Sequence, residues 1–140
     1  MKSFNIIRLN LYAPLIYRKD NNLMPFEMSA DSEERLFCFT ISPDHCQSIE
    51  PDDGRYLGDL LFSGTSVPGS SPEECELSSG TYLFVQIKNI LNRNDVIRTA
   101  VETQKYGLGE ELDLKSRFYL RYLFEEGKPI TQFFRPYIAA

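Results

Sequence analysis

The chain has no tryptophan, one histidine and three cysteines among its 140 residues. The cysteines, Cys38, Cys46 and Cys75, are odd in number and contain no C-x₂₋₄-C pair, so they match neither a common disulfide framework nor a common zinc framework. Together with His45 they could bind zinc only if all four residues converged in space. His45 and Cys46 are adjacent, and sequence neighbours seldom present side chains to each other as a nucleophile and its base must. A surface or capping role beside Pro43-Asp44 is the expectation for His45. Long apolar runs are also missing. Asn5, Arg8 and Asn10 interrupt the apolar start, which therefore lacks the continuous core of a secretory signal. No window approaches the roughly 18 apolar residues of a membrane span. The expectation is a cytoplasmic protein with no membrane association.

A basic stripe is absent as well. The net charge is −5, and residues 29–80 hold eleven acidic side chains against two basic ones. Phosphate neutralisation needs clustered Lys and Arg, so a nucleic-acid partner is not expected. The acidic group Asp52, Asp53 and Asp59 lacks the alternating ligands and closing glutamate of a calcium loop, and reads as solvated surface. Gly107-Leu108-Gly109 follows a helix instead of opening one, so it is no phosphate cradle. No Gly-x-Ser-x-Gly elbow occurs. No catalytic residue, metal or cofactor is assigned.

What is present is ordinary globular composition, 42% hydrophobic and 25% charged, with ten Phe and eight Tyr that favour strands. Alternation predicts strands over 4–12, 35–41, 81–88 and 117–125, and a hairpin return over 129–135 after the turn Glu126-Gly127-Lys128. In the second of these, Phe37, Phe39 and Ile41 share one side, and Leu36, Cys38 and Thr40 the other. Residues 18–34 read as a long loop, 42–49 as a short helical turn, 50–54 as a turn and 63–73 as a Pro/Gly/Ser-rich loop. Residues 55–62 fit strand or short helix equally. A helix is expected from an Asn94 cap, with Ile97, Ala100, Val101, Gln104 and Leu108 on one stripe and Gly107 as its stop.

The fold class that follows is α+β: a mainly antiparallel sheet with one main helix packed on one face, in a single domain over 1–140. Its C-terminal half reads β-α-β-β, and halves 1–62 and 75–140 meet at the Pro/Gly/Ser-rich loop. The helix should cover Leu83, Val85 and Ile87 together with Phe118, Leu120, Tyr122 and Phe124. The opposite face then carries Tyr82, Phe84, Gln86, Tyr119, Arg121 and Glu125. Mixed aromatic and charged groups of this kind suit a small-molecule pocket. Tyr82, Phe84, Tyr119, Arg121 and Glu125 are the candidate ligand-binding residues. Arg121 and Arg135 could each grip an anion, or pair with Glu125 or Glu102. The run Phe133-Phe134-Arg135-Pro136-Tyr137 is the candidate surface for a homodimer or another protein partner, because aromatics and Arg are enriched at binding hot spots.

The segment Leu77-Ser78-Ser79-Gly80-Thr81-Tyr82-Leu83-Phe84, the helix after it, and the strand pair ending at Phe134-Arg135-Pro136 resemble the second repeat of GyrI-like domains (bacterial effector-binding, SOUL-related). The resemblance covers about residues 75–137. It implies two βαββ-like halves around a ligand cleft, non-catalytic binding of a small molecule or protein, and a pocket glutamate, for which Glu125 is the match. The first half departs from the pattern: it shows no equivalent helix, and the loop at 18–34 has no counterpart. The reading is a non-catalytic small-molecule-binding domain, with an interaction module, then an enzyme, as alternatives.

Overall fold

A computed structural model describes residues 5–20, 22–26, 34–41, 57–66 and 72–138. Its elements are strands β1 (Ile7–Leu11), β2 (Leu15–Lys19), β3 (Arg35–Ile41), β4 (Leu57–Thr65), β5 (Glu74–Leu77) and β6 (Gly80–Ile87), helix α1 (Arg93–Gly109), and strands β7 (Asp113–Leu114), β8 (Arg117–Glu125) and β9 (Lys128–Ile138). All pairings among the described residues are antiparallel, in the order β1-β6-β9-β8-β3-β4-β2-β5, with β7 on the far end of β9. The fold is thus α+β: among the described residues, a curled antiparallel sheet with one helix. Between α1 and the final hairpin the expected β-α-β-β order gains a strand. β9 runs on to Ile138, and its extra residues leave backbone for Asp113 and Leu114 to pair with.

The curl arises from a bent two-stranded ribbon. β1 leads into β2 through Tyr12-Ala13-Pro14, and β5 leads into β6 through Ser78-Ser79. The ladder Leu11↔Gly80 resumes at Leu15↔Leu77, with three residues spanning one side and two the other. That one-residue excess bends the ribbon as a bulge does. One end of the ribbon pairs with β9 and the other with β4, so the ribbon crosses one face of β4-β3-β8-β9. The crossing is close at Gly64. A Cβ there would meet the Cys75 sulfur at 2.5 Å, Tyr17 Cβ at 2.9 Å and the Arg18 carbonyl oxygen at 3.1 Å.

Helix α1 covers the other face. Val96, Ile97, Ala100 and Val101 pack with Phe37, Phe39, Ile41, Val85, Phe118, Leu120, Tyr122 and Phe133. This agrees with the expected division of faces. The helix cap differs from expectation: it is Asn92, whose side chain accepts from the Asp95 N–H at 2.9 Å. Asn94 sits inside the first turn. Gly107 does not stop the helix either, since its bare Cα lies against the Leu114 side chain. The stop is at Glu111, in the left-handed region at φ 58°, where Leu112 N–H returns to the Gly107 carbonyl at 2.9 Å. Strands β2 and β5 were not expected, and β4 makes 57–62, from the ambiguous stretch 55–62, strand and runs on into the expected 63–73 loop, while 55 and 56 lie outside the described residues. The expected turns at 42–49 and 50–54 lie outside the described residues.

Gly64→Ala is expected to destabilise the protein by about 1–3 kcal/mol, because two strands would have to separate to admit one methyl group. Urea denaturation measures this; an unchanged midpoint would show that the crossing is loose.

Candidate functional site

Alternation along the strands puts Tyr82, Phe84, Gln86, Tyr119, Arg121 and Glu125 on the face away from α1, as expected. The ribbon divides that inner face into a filled part and an open part.

The filled part is apolar. Tyr17, Leu36, Cys38, Cys75, Leu77, Tyr82, Tyr119 and Phe134 are buried together, with Leu9, Leu11, Leu15, Phe62 and Phe84 packed around them. Tyr82 meets Tyr119 and Phe134 edge-on at 6.1 and 5.6 Å between centroids, and Phe84 meets Phe134 at 5.0 Å. The Tyr82 hydroxyl donates to the Ser78 carbonyl. The Tyr119 hydroxyl accepts from Arg117 Nε at 3.2 Å. These three aromatics therefore sit in packed core, with Tyr82 and Tyr119 buried and Phe84 partly so.

Arg121 lies at the border. Its Nε donates to the Tyr17 hydroxyl at 2.8 Å and to Glu34 at 3.1 Å, and its Nη2 lies 3.0 Å from Glu34. Its Nη1 donates to Gln132 Oε1 at 2.8 Å, and Gln132 Nε2 donates to Gln86 Oε1 at 2.8 Å. The Tyr17 hydroxyl also donates to Glu34. The side chains of Arg121 and Glu34 are 19% and 28% exposed, so this row is screened from water on one side and wetted on the other. The partner of Arg121 is Glu34, not Glu125 or Glu102. Proximity in the sequence could not reveal this, because the two are 87 residues apart.

Beyond the row lies a cleft of about 220 Å³ lined by Gln86, Lys88, Glu125, Glu126, Lys128, Pro129 and Ile130. Glu125 lies here, apart from the aromatics with which it was grouped. Lys88, Glu125, Glu126 and Lys128 make no ion pair among the described residues. Glu126 is held at φ 53° and Gly127 at φ 78° by the two-residue hairpin turn. Such turns favour Asn, Asp or Gly at both positions, so a glutamate there is strained. A second cleft of about 300 Å³, beside Ile16, Tyr17, Arg18, Thr65, Ser66 and Glu74, has its cation and anion already 3.8 Å apart.

Arg135 does not face an anion site. It is fully buried on the α1 side, where its Nε donates to the Lys115 carbonyl at 2.6 Å and its Nη1 to Gln104 Oε1 at 3.2 Å. It ties the helix to the strand ends. Phe133, Phe134, Pro136 and Tyr137 are buried too, so the expected hot-spot run of the hairpin is interior. Cys38 and Cys75 are buried free thiols. Asp59 is exposed, with its N–H held by Thr40 Oγ1 at 2.7 Å. His45, Cys46, Asp52 and Asp53 lie outside the described residues. No helix of the described residues is long and apolar enough to cross a membrane. No protein-family model matches the chain, and no curated protein sequence matches it.

Burial pushes the Tyr82 phenol and the Cys38 thiol up to about 12, and raises Tyr17 and Tyr119 as well. Each group holds its proton more tightly folded than unfolded. Its contribution to stability is therefore complete below the ordinary values of 9.0 for Cys and 10.0 for Tyr, and disappears as pH rises toward 12. Denaturation midpoints are expected to be flat across neutral pH and to fall steeply above about pH 9. The absorbance of Tyr17, Tyr82, Tyr119 and Tyr122 should titrate late over the same range. Early titration of the first three would mean that the inner face is open to water.

Proposed function

We propose that the protein is a non-catalytic binding domain for a small polar molecule bearing both charge signs, held in the cleft at the hairpin end of the inner face. The observation that carries this is the set of two lysines and two glutamates, unpaired among the described residues, around a cleft floored by Gln86 and Ile130. About 220 Å³ is below the roughly 300–1,000 Å³ of drug-sized pockets, which points to a ligand of amino-acid size. The strained Glu126 adds support: a turn optimised for stability would carry Asn there, and strain kept at the rim of a cleft is a mark of use. The non-catalytic reading rests on where the perturbed groups lie. Tyr17, Tyr82, Tyr119 and Cys38 are enclosed in packed core, away from the cleft.

Of the residues chosen from sequence, Glu125 contacts the ligand in this proposal and Arg121 anchors the Gln132–Gln86 row beneath it. Tyr82, Phe84 and Tyr119 supply the rigid wall behind. The GyrI-like resemblance and a cytoplasmic location belong to the same proposal, since the resemblance implies binding without catalysis.

Glu126→Asn separates use from stability. It should raise stability by about 1 kcal/mol by relieving the left-handed strain, while weakening the ligand. Thermal-shift screening against amino acids, dipeptides and other small zwitterions provides the readout. A ligand at a hundredfold excess over Kd adds about 2.7 kcal/mol. Hits lost in Lys88→Ala or Lys128→Ala and kept in Tyr119→Phe are expected. A flat screen, or hits indifferent to both lysines, would contradict the assignment.

A further inference from the structure

Antiparallel sheets leave unpaired N–H and C=O groups along every free edge, and proteins usually blunt such edges with charge, proline or bulges. Three stretches can be compared here: the two outer strands β5 and β1, and the part of β4 before it meets β2 at Gly64. Among the described residues β5 pairs only with β2, and its short edge carries the exposed carboxylates of Glu74 and Glu76. β4 is irregular, with register shifts against β3 at Cys38/Phe39 and Phe39/Ile41, and it carries Asp59. Among the described residues β1 pairs only with β6; it runs five residues in regular register and has no proline or bulge.

The one charge on β1 is Arg8, whose side chain is 45% exposed, and it leaves the rest of the edge unguarded; its guanidinium lies 3.4 Å from Glu110 and 5.8 Å from the Tyr106 ring centroid. What β1 offers outward is Ile7, 44% exposed, and the half-buried Leu9 and Leu11 on one face, with Arg8 and Asn10 on the other. This order reads nearly the same in both directions.

We infer that β1 is an interface for a second copy of this chain, pairing antiparallel about Leu9 on a two-fold axis. That register sets Leu9 against Leu9, Ile7 against Leu11 and Arg8 against the neutral amide of Asn10, each pair on one face. Centring the pairing on Arg8 would bring two guanidinium groups together, so charge selects the Leu9-centred register over that one. A two-fold contact of this kind closes on itself and joins two sheets into one without leaving β1 exposed. The surface is distinct from the cleft and does not depend on it.

The register makes the test specific. Asn10 is exposed, so its substitution leaves the fold intact. Asn10→Lys places like charges across the axis twice per dimer, and Asn10→Glu places opposite charges there. Sedimentation of the full chain over a concentration series should show a monomer–dimer equilibrium. Its Kd should rise by about fivefold or more for Asn10→Lys and fall by a similar factor for Asn10→Glu, at low salt. Amide exchange in β1 should slow as concentration rises. A monomer up to the solubility limit would overturn the inference. So would a dimer indifferent to both substitutions, or β1 amides protected equally at every concentration.

Discussion

The three strands β3, β8 and β9 are apolar on both faces, and the rest of the molecule follows from the need to cover both. Phe37, Phe39, Phe118, Leu120 and Phe133 point one way; Leu36, Cys38, Tyr119 and Phe134 point the other. A single 17-residue helix can cover one face. The other is covered by the chain's own ribbon, which must bend to reach from β9 to β4. Burying each large apolar side chain contributes about 1.5–3 kcal/mol, so two full layers outweigh the strain of the bend and the tight crossing at Gly64.

A ribbon of this length does not cover the whole inner face. Where it stops, the interior changes from aromatic to polar, and the Tyr17–Glu34–Arg121–Gln132–Gln86 row marks the change. Arg121 is affordable there because every partner it needs comes from a different strand or loop and meets it at 2.8–3.1 Å. The charged cleft beyond is thus a consequence of how the core is closed. The same ribbon leaves β1 as the outermost strand at its β9 end, which links the fold to the inferred contact between copies.

Much of this was readable in the sequence, and the limits are physical. The alternation of residues 35–41 gave β3 its bounds and both its faces, and residues 117–125 did the same for β8. Faces depend on local period, so the six inner-face residues were grouped correctly. Occupancy of a face is not local. Whether Tyr82 and Tyr119 line a pocket or a core depends on the ribbon, half of which, β1 and β2, comes from the other end of the sequence. β2 was hidden by Pro14 and the polar run after it, and β5 by its alternate glutamates. The helix was found but shifted, because Asn92 and Asn94 are both good caps and only Asn92 sits three residues before the Asp95 N–H. Arg135 looked like a binding residue because its partners, the Lys115 carbonyl and Gln104, carry no sequence signal.

The closure of the core depends most on the inner face being filled at its aromatic end. Ring-to-ring nuclear Overhauser contacts in the folded protein test this directly. Cross-peaks from the Tyr82 ring to both Tyr119 and Phe134, together with Tyr17 to Cys75, are the predicted result. Their absence, with water contacts at the Tyr82 and Tyr119 rings instead, would place an open pocket where this account places core.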